Sequence, residues 1–337
     1  MADLSTTYMG LKLKNPIILG ASNLVSKPEV IEQLEEAGIA AIIYKSLFEE
    51  QISLETIQFE EEMHEYEERN AEMTRIFPDL EHAGPKEHLM NVKRLKNKIK
   101  VPLIGSLNAL YELTWIDYAK ELEQTGVDAL EINLFAVPGY FETEGQKIEE
   151  RQVQIVQSIK KAVKIPVGVK LSPFYTNTLN FIKKLDEAGA DGFVLFNRLF
   201  QPDINIEDES FYFPWELSQP KDYQLALRYA GLLYGNTDAS ICTSRGIYDH
   251  EDMIKLLLAG TDAIQIVSSV YKNQPSHVST MLHGLNNWMN KKGYAGLNDF
   301  RGKLSRKNLK DPFTYQRAQY VDILMKSEEV FKKYLMK

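Results

Sequence analysis

Residues 239–271, ASICTSRGIYDHEDMIKLLLAGTDAIQIVSSVY, decide how the chain is expected to fold. An apolar run ends in a small polar turn at 243–246, an amphipathic helical pattern follows, and a second apolar run after Gly260 ends at Ser268 and Ser269. This order predicts a strand, a helix and a second strand. Free N–H groups at helix N-termini beside the two strand ends favour an anion. Two interpretations stay open: a cradle for a cofactor phosphate, or an ordinary strand–helix–strand unit with polar loops.

The same kind of segment recurs along the whole chain. A proline precedes the predicted strands one, three and five, at Pro16, Pro102 and Pro166. A glycine that ends a helix precedes strands two, four, six and eight, at Gly38, Gly126, Gly189 and Gly260. Eight short strands alternating with helices predict a parallel sheet, and the number eight favours closure into a (β/α)8 TIM barrel. Two β-like runs around Gly10 predict a small N-terminal β-hairpin ahead of the barrel.

Two connections are longer than plain crossovers require. Residues 47–85 follow the second strand, and their acidic part at 49–72 is interpreted either as a solvated helical excursion or as a cover over the active site. Residues 198–220 follow the sixth strand. Loops after barrel strands face the catalytic end, so both βα-loop excursions are placed to roof the site. We predict one barrel domain over residues 1–304 and a C-terminal helical appendage at 305–337 packed on the barrel.

Composition excludes several classes of function. The net charge of the 337 residues is −8, which argues against a nucleic-acid-binding surface. No apolar run approaches the ~20 residues of a membrane span, and the N-terminus lacks a basic-then-apolar signal. We therefore expect a cytoplasmic protein with no membrane partner. Cys242 is the single cysteine, which excludes an internal disulfide and an all-cysteine metal site.

The predicted strand ends carry lysines, amides and hydroxyls: Ser22, Lys45, Ser46, Ser106, Asn108, Asn133, Lys170, Asn197, Thr243, Ser244, Ser268 and Ser269. No histidine lies there, and no Asp or Glu occupies the last two positions of a predicted strand. We therefore expect neither a metal centre nor a paired-carboxylate glycosidase. Amides can recognise the edges of a heterocycle, and a lysine can stabilise charge on a reduced ring. Lys170 lies in an otherwise apolar strand, where it either faces an anionic partner or extends to solvent at the rim.

These motifs, in their order, resemble those of the dihydroorotate dehydrogenase family, particularly its soluble class 1 branch. The resemblance runs from LSTTYMGLKLKNPIILGAS to about Leu304 and includes IIYKS, GSLN, LEINL, VGVKLSP and the turns at 243–246 and 268–269. It implies an FMN-binding barrel and hydride transfer between a C–H bond of a dihydropyrimidine-like small molecule and flavin N5. A homodimer is the assembly that we consider with it.

Carried over residue by residue, the resemblance implies which side chains hold the cofactor and the substrate. Lys170 would lie at the N1–C2 edge of the flavin and stabilise the reduced anion, and Lys45 beside the flavin is assigned to catalysis with it. Asn133 and Asn197 would bind the substrate. The full implied FMN set is Ala21, Ser22, Lys45, Ser46, Asn133, Lys170, Thr243, Ser244, Gly246, Ser268 and Ser269.

The two phosphate turns differ from the family pattern. Arg245-Gly246 replaces the usual Gly-Gly, and Ser268-Ser269 replaces the usual Gly-Thr. Both turns keep groups that can bind an anion, and Arg245 would add a charge-assisted contact.

The largest departure follows the fourth strand. Family members carry Asn-Leu-Ser-Cys-Pro-Asn or Asn-Val-Ser-Ser-Pro-Asn, in which the Cys or Ser is the base, whereas this chain has NLFAVP at 133–138. Ala136 stands in place of the base and has no titratable group. Cys242, inside the seventh strand, is expected to be a core residue. Three hypotheses remain: an oxidoreductase of this family whose substrate is not dihydroorotate, a true dihydroorotate dehydrogenase with a base relocated to Ser106, Thr143 or Tyr140, and a flavin-binding module without catalysis.

Overall fold

The computed structural model describes residues 2–48, 85–108, 112–136 and 141–326, together with the single residues 328 and 332. The acidic excursion at 49–72 and the base candidate Tyr140 lie outside the described residues. None of the helices in the described ranges is long and apolar enough to cross a membrane.

A small antiparallel hairpin precedes the main fold, as the sequence predicts. Its strands are β1 (Thr6–Tyr8) and β2 (Leu11–Leu13), and Tyr8 lies opposite Leu11. The buried side of the hairpin carries Tyr8 and Leu13.

Eight parallel strands close into a barrel behind this hairpin. They are β3 (Ile17–Leu19), β4 (Ala41–Ile43), β6 (Leu103–Asn108), β7 (Ala129–Leu134), β8 (Val167–Leu171), β9 (Gly192–Leu195), β12 (Ser240–Ser244) and β13 (Ala263–Ile266), while the short β5 (Leu47–Phe48) pairs with the end of β6. Each barrel strand pairs with the next one, and β13 pairs with β3 to complete the ring. The predicted (β/α)8 TIM barrel is confirmed.

Helices surround the barrel between most of the strands. They are α1 (Pro28–Glu36), α2 (Pro85–Lys96), α3 (Glu112–Gln124), α4 (Gly145–Ala162), α5 (Thr178–Glu187), α6 (Gln224–Leu233), α7 (His250–Ala259), α8 (Ser268–Asn273), α9 (His277–Lys292) and α10 (Arg317–Met325). Within the described ranges, 3-10 turns lie at Asn23–Ser26, Leu297–Asp299 and Pro312–Tyr315. Helix α7 begins after Asp249, whose carboxylate accepts a hydrogen bond from Asp252 N, and it ends before Gly260 at a φ of 128°. The predicted start and stop signals therefore act where the sequence places them.

The hairpin turn closes the N-terminal end of the barrel. A Cβ on Gly168 would lie 2.6 Å from the Met9 sulfur, and a Cβ on Gly192 would lie 2.8 Å from Met9 Cγ. Met9 N also donates a hydrogen bond to Ser240 Oγ at 3.0 Å. The two glycines leave the space that Met9 fills, so the barrel is sealed at this end and functional groups are confined to the other.

The aspartates in the repeated strand-entry motif have a structural role. Asp128, Asp191 and Asp262 each accept a 2.7 Å hydrogen bond from a backbone N–H at the start of the preceding barrel strand. Each carboxylate therefore fixes the register of two neighbouring strands, which is why the motif recurs.

The excursion after β9 is partly ordered as a second antiparallel hairpin. Its strands are β10 (Asp203–Asn205) and β11 (Ser210–Tyr212), and most large apolar side chains on and beside them are exposed. Trp215 stacks on Phe200 with ring centroids 5.2 Å apart. This segment returns to the barrel at the C-terminal strand ends.

The chain beyond Leu304 contacts the barrel helices through polar groups. Arg228 on α6 donates to Tyr315 O at 3.1 Å, and Tyr315 Oη donates to Leu304 O at 2.7 Å. Helix α10 carries no buried residue. The division of the chain at residue 304 stays a prediction.

Candidate active site

A polar layer lies inside the barrel near the C-terminal ends of the strands. Lys170 on β8 donates a hydrogen bond to Gln265 Oε1 at 3.3 Å, and its ammonium lies 3.5 Å from Glu131 Oε1. Gln265 Nε2 donates to Glu131 Oε2 at 2.5 Å. Glu131 is buried, so Lys170 has the anionic partner that an inward-facing lysine requires.

Two asparagines pair beside this layer. Asn133 lies near the end of β7, Asn197 follows β9, and Asn197 Nδ2 donates to Asn133 Oδ1 at 3.1 Å. A side-chain amide carries both a carbonyl and an NH2 group. The pair therefore leaves the Asn133 NH2 and the Asn197 carbonyl for a ligand, a donor beside an acceptor that suits one edge of a heterocycle.

A cavity opens at the C-terminal ends of β3, β8, β9, β12 and β13. The sequence-predicted residues that line it are Ala21, Ser22, Lys170, Asn197, Ser244, Gly246 and Ser268. The other predicted residues lie at or directly after strand ends without lining this cavity: Lys45, Ser46, Asn133, Thr243 and Ser269. Side chains far apart in sequence thus meet at one end of the barrel.

Three hydroxyl groups near the C-terminal strand ends are buried and have no hydrogen-bond partner among the described residues, and one of them, that of Ser22, belongs to a residue of the cavity wall. They belong to Ser22, Thr243 and Ser269. Two others are already engaged, because Ser244 Oγ donates to Phe196 O at 2.8 Å and Ser268 Oγ accepts from Ser218 N at 3.0 Å. An unpaired buried polar group costs about 1–3 kcal/mol. For Ser22, which lines the cavity, a ligand rich in oxygen atoms would remove that cost.

The turn after β12 approaches its neighbouring loop closely. Gly246 has a φ of 63°, and a Cβ there would lie 2.4 Å from Gln219 O and 2.6 Å from Asp222 N. Only glycine fits this position without displacing backbone. The turn is therefore fixed against the loop that carries Ser218.

Lys45 lies near a buried histidine on α2. Burial first, and then the positive charge of Lys45, lower the pKa of His88 to about 4. The His88 ring meets the Tyr44 ring edge-on, with centroids 5.2 Å apart. A neutral imidazole can pack next to the lysine without a second positive charge.

The family model of dihydroorotate dehydrogenase matches residues 77–289. Similar chains include the dihydroorotate dehydrogenase B (NAD(+)) catalytic subunit of Thermoplasma volcanium, which is 30% identical over 279 residues, or 81% of this chain and 88% of that protein. The protein of the same name from Methanocaldococcus jannaschii is 28% identical over 282 residues (80% and 87%), and a putative dihydroorotate dehydrogenase A (fumarate) from Aeropyrum pernix is 24% identical over 310 residues (90% and 98%).

The chain belongs to the dihydroorotate dehydrogenase family. It is accordingly an oxidoreductase of the FMN-dependent class that acts on CH–CH groups, as its motifs predict.

Ala136, which stands at the expected position of the base, and two of the three base candidates lie among the described residues. Ala136 is exposed. Ser106 is buried, and its hydroxyl lies 2.7 Å from the hydroxyl of Ser46. Thr143 is exposed, and burial raises the pKa of the Cys242 thiol well above its ordinary value. Neither Ser106 nor Thr143 lines the cavity, so the relocation of the base stays a prediction.

Several residues in and below this cavity were not predicted from the sequence. Glu131 and Gln265 lie within apolar strands, where one polar residue gives no signal of its partner. Arg198, Trp215 and Ser218 lie on the excursion after β9, and the pattern of apolar and polar residues in the sequence does not predict the course of that segment in space. No cluster of three or more His, Cys, Asp or Glu that could hold a metal occurs in the described ranges.

Proposed function

We propose that the cavity binds FMN and that the chain transfers a hydride between flavin N5 and a dihydropyrimidine-like substrate other than dihydroorotate. One observation carries the cofactor assignment: hydroxyl, amide and lysine side chains from the ends of β3, β8, β9, β12 and β13 line one cavity, and the buried Ser22 hydroxyl there has no partner among the described residues. FMN has a phosphate and a ribityl chain rich in oxygen atoms, so this donor set fits it. The Gly246 turn and the N-terminus of α8 offer backbone N–H groups for the phosphate.

The polar layer supplies the charge that the reaction needs. FMN, when bound, provides a hydride acceptor or donor at N5. Lys170 presents a fixed ammonium at the ring, because Glu131 and Gln265 hold it from below. A preorganised charge costs little reorganisation when negative charge develops. Asn133 and Asn197 orient the substrate ring through the free halves of their amides.

The missing base limits the choice of substrate. Oxidation of a saturated C–C bond requires that a proton leaves with the hydride, and a positioned base commonly contributes roughly 100- to 10,000-fold. Ala136 cannot accept that proton. We therefore propose that dihydroorotate is oxidised poorly. The second candidate is a true dihydroorotate dehydrogenase with a relocated base, for which Ser106 is tested as the buried hydroxyl among the candidates that the structure describes.

Anaerobic bleaching of the bound flavin by dihydroorotate tests these alternatives in wild type, Ala136→Cys and Ser106→Ala. Slow bleaching that cysteine accelerates would show that the pocket fits dihydroorotate and lacks only the base. Fast bleaching in wild type that Ser106→Ala abolishes would establish the second candidate. No bleaching in any variant, with FMN bound, would support another substrate. Failure of every reductant to bleach the flavin would instead indicate a binding module.

The electron acceptor is proposed from the relatives' names. Several similar proteins are named catalytic subunits of a dihydroorotate dehydrogenase that uses NAD(+), and one is named for fumarate. We propose that this chain is likewise a catalytic subunit and passes electrons through a partner subunit to NAD(+), as a cytoplasmic homodimer. Affinity capture of the tagged chain, followed by turnover assays with NAD(+) and with fumarate, checks this. Fumarate reduction by the isolated chain would contradict it.

A further inference from the structure

Two arginines line the cavity from neighbouring strands. Arg198 follows β9, Arg245 follows β12 directly, and both belong to the cavity wall. Strands β9 and β12 are paired in the barrel. Two positive charges therefore share one concave space, beside the amide pair and the hydroxyls described above.

Each guanidinium group keeps a buried nitrogen without an acceptor in the part of the chain that the structure describes. These atoms are Nη1 of Arg198 and Nε of Arg245. An unsatisfied buried donor is costly, and more so when the group is charged. The described residues therefore leave part of the hydrogen-bonding capacity of each guanidinium group unused.

The nearest carboxylates neutralise the arginines only partly. Arg198 Nη2 donates to Glu216 Oε2 at 3.3 Å, but the Glu216 side chain is 67% exposed, and exposed ion pairs contribute little. Arg245 Nη2 lies 4.0 Å from Asp222 Oδ2. Burial lowers the pKa of Arg245, the charge of Arg198 lowers it further, and Asp222 acts in the opposite direction. Both acidic partners lie on the excursion and its return to the barrel, and both keep partly exposed side chains, so they compensate the two positive charges only in part.

We propose that Arg198 and Arg245 form a guanidinium pair that binds an oxyanion in this cavity. A guanidinium group presents a planar set of donors that matches phosphate and carboxylate oxygens. Two sources share this chemistry: the phosphate of a flavin nucleotide, and an acid group on the substrate. The first source rests on the proposed FMN binding, whereas the existence of the site does not.

The competing explanation is that the arginines only tether residues 198–222 to the barrel through Glu216 and Asp222. A tether would affect stability but not anion affinity. The variants Arg198→Gln and Arg245→Gln remove each charge and keep a polar side chain. Arg198→Lys and Arg245→Lys keep the charge without the planar donor set, in case the neutral variants fold poorly. Arg94→Gln, on the exposed face of α2, is the matched control.

The experiment uses the chain of 337 residues after its flavin has been removed. Inorganic phosphate is added while chloride keeps the ionic strength constant, and the thermal unfolding midpoint is measured. We expect a saturable rise in wild type and in Arg94→Gln. Each glutamine variant should raise the apparent Kd for phosphate at least about tenfold, because charge-assisted hydrogen bonds are lost. The lysine variants should give apparent Kd values between those of wild type and the glutamine variants. No saturable rise in wild type, or equal affinity in the cavity variants, would overturn the proposal.

Repeating the titration with FMN and with riboflavin separates the two sources. If the site holds the nucleotide phosphate, FMN will abolish the phosphate response and riboflavin will not. If the response persists with FMN bound, the site is free for an acid group of the substrate. Should the protein bind no flavin, the proposed function fails while the flavin-free titration still reports on the arginine pair.

Discussion

The ammonium of Lys170 lies 3.5 Å from Glu131 Oε1, and both side chains face the interior of the barrel. A buried charge is tolerated when an opposite charge and further hydrogen bonds accompany it, and Gln265 supplies those bonds to both groups. Lys170 therefore presents a positive charge to the cavity above it, and residues from three strands fix the position of that charge.

Glu131→Gln should destabilise the protein, because it leaves the Lys170 charge buried without its partner. Breaking a buried pair from one side costs roughly 3 kcal/mol. Urea unfolding measures the free energy, and Lys170→Met combined with Glu131→Gln is the control. The double variant should lose less than the sum of the two single changes. Full additivity would show that the pair is not coupled.

Lys170→Ala should lower the midpoint potential of the bound flavin, since the reduced anion loses its stabiliser. A loss of about 100-fold in stabilisation is typical for one such contact. That corresponds to a fall of roughly 60 mV, at about 30 mV per tenfold for a two-electron couple. Spectroelectrochemical titration measures it. Removing the lysine alone would leave Glu131 unpaired, so the double variant Lys170→Ala with Glu131→Gln serves as the control. If the midpoint potential is unchanged in the single variant and in the double variant, Lys170 does not belong to the flavin site.

Gly246→Ala should destabilise the turn after β12 by more than conformational strain alone. Its Cβ would lie 2.4 Å from Gln219 O, whereas a Cβ on Gly10, at a similar φ of 75°, would have nothing within 4 Å. A left-handed alanine costs about 1–2 kcal/mol by itself. We expect Gly10→Ala to lower the free energy of unfolding in urea by about that much, and Gly246→Ala to lower it clearly more. Gly246→Ala should also lose its bound flavin. Equal losses would mean that the neighbouring loop moves aside freely.

The stability of the fold should fall below neutral pH because of His88. Its pKa is about 4 in the folded state and 6.5 in the reference state, so the unfolded chain binds the proton more readily between these values. Stability is then fully present above pH 6.5 and is lost as pH falls toward 4. Lowering the pH from about 7.5 to about 5 should therefore reduce the free energy of unfolding by about 2 kcal/mol through His88. Urea unfolding of wild type and His88→Leu at both pH values isolates it, and identical pH dependence would refute the assignment.

Local signals were sufficient to predict the barrel. Seven of the eight strands follow either a proline or a glycine that ends a helix. Gly260 and the Asp249 cap act in the structure as their chemistry requires. The N-terminal hairpin was also predicted, but its role as a plug was not, because the contact of Met9 with Gly168 joins residues distant in sequence.

The site was predicted only where a polar residue falls at a strand end. Lys170 and the Asn133–Asn197 pair follow that rule. Glu131 and Gln265 do not, because an inward-facing residue in the middle of a strand looks like an isolated exception within an apolar run. Their pairing spans 134 residues and depends on barrel closure, which local pattern does not encode.

The flavin content of the purified protein tests the central claim most directly. Wild type, supplied with FMN and then desalted, should retain about one FMN per chain by absorbance. The double variant Ser244→Glu with Ser268→Glu should retain almost none, because two carboxylates would repel the phosphate, while the exposed change Ser276→Glu should have no effect. Full retention in the double variant, or no retention in wild type, would contradict the assignment of this cavity to FMN.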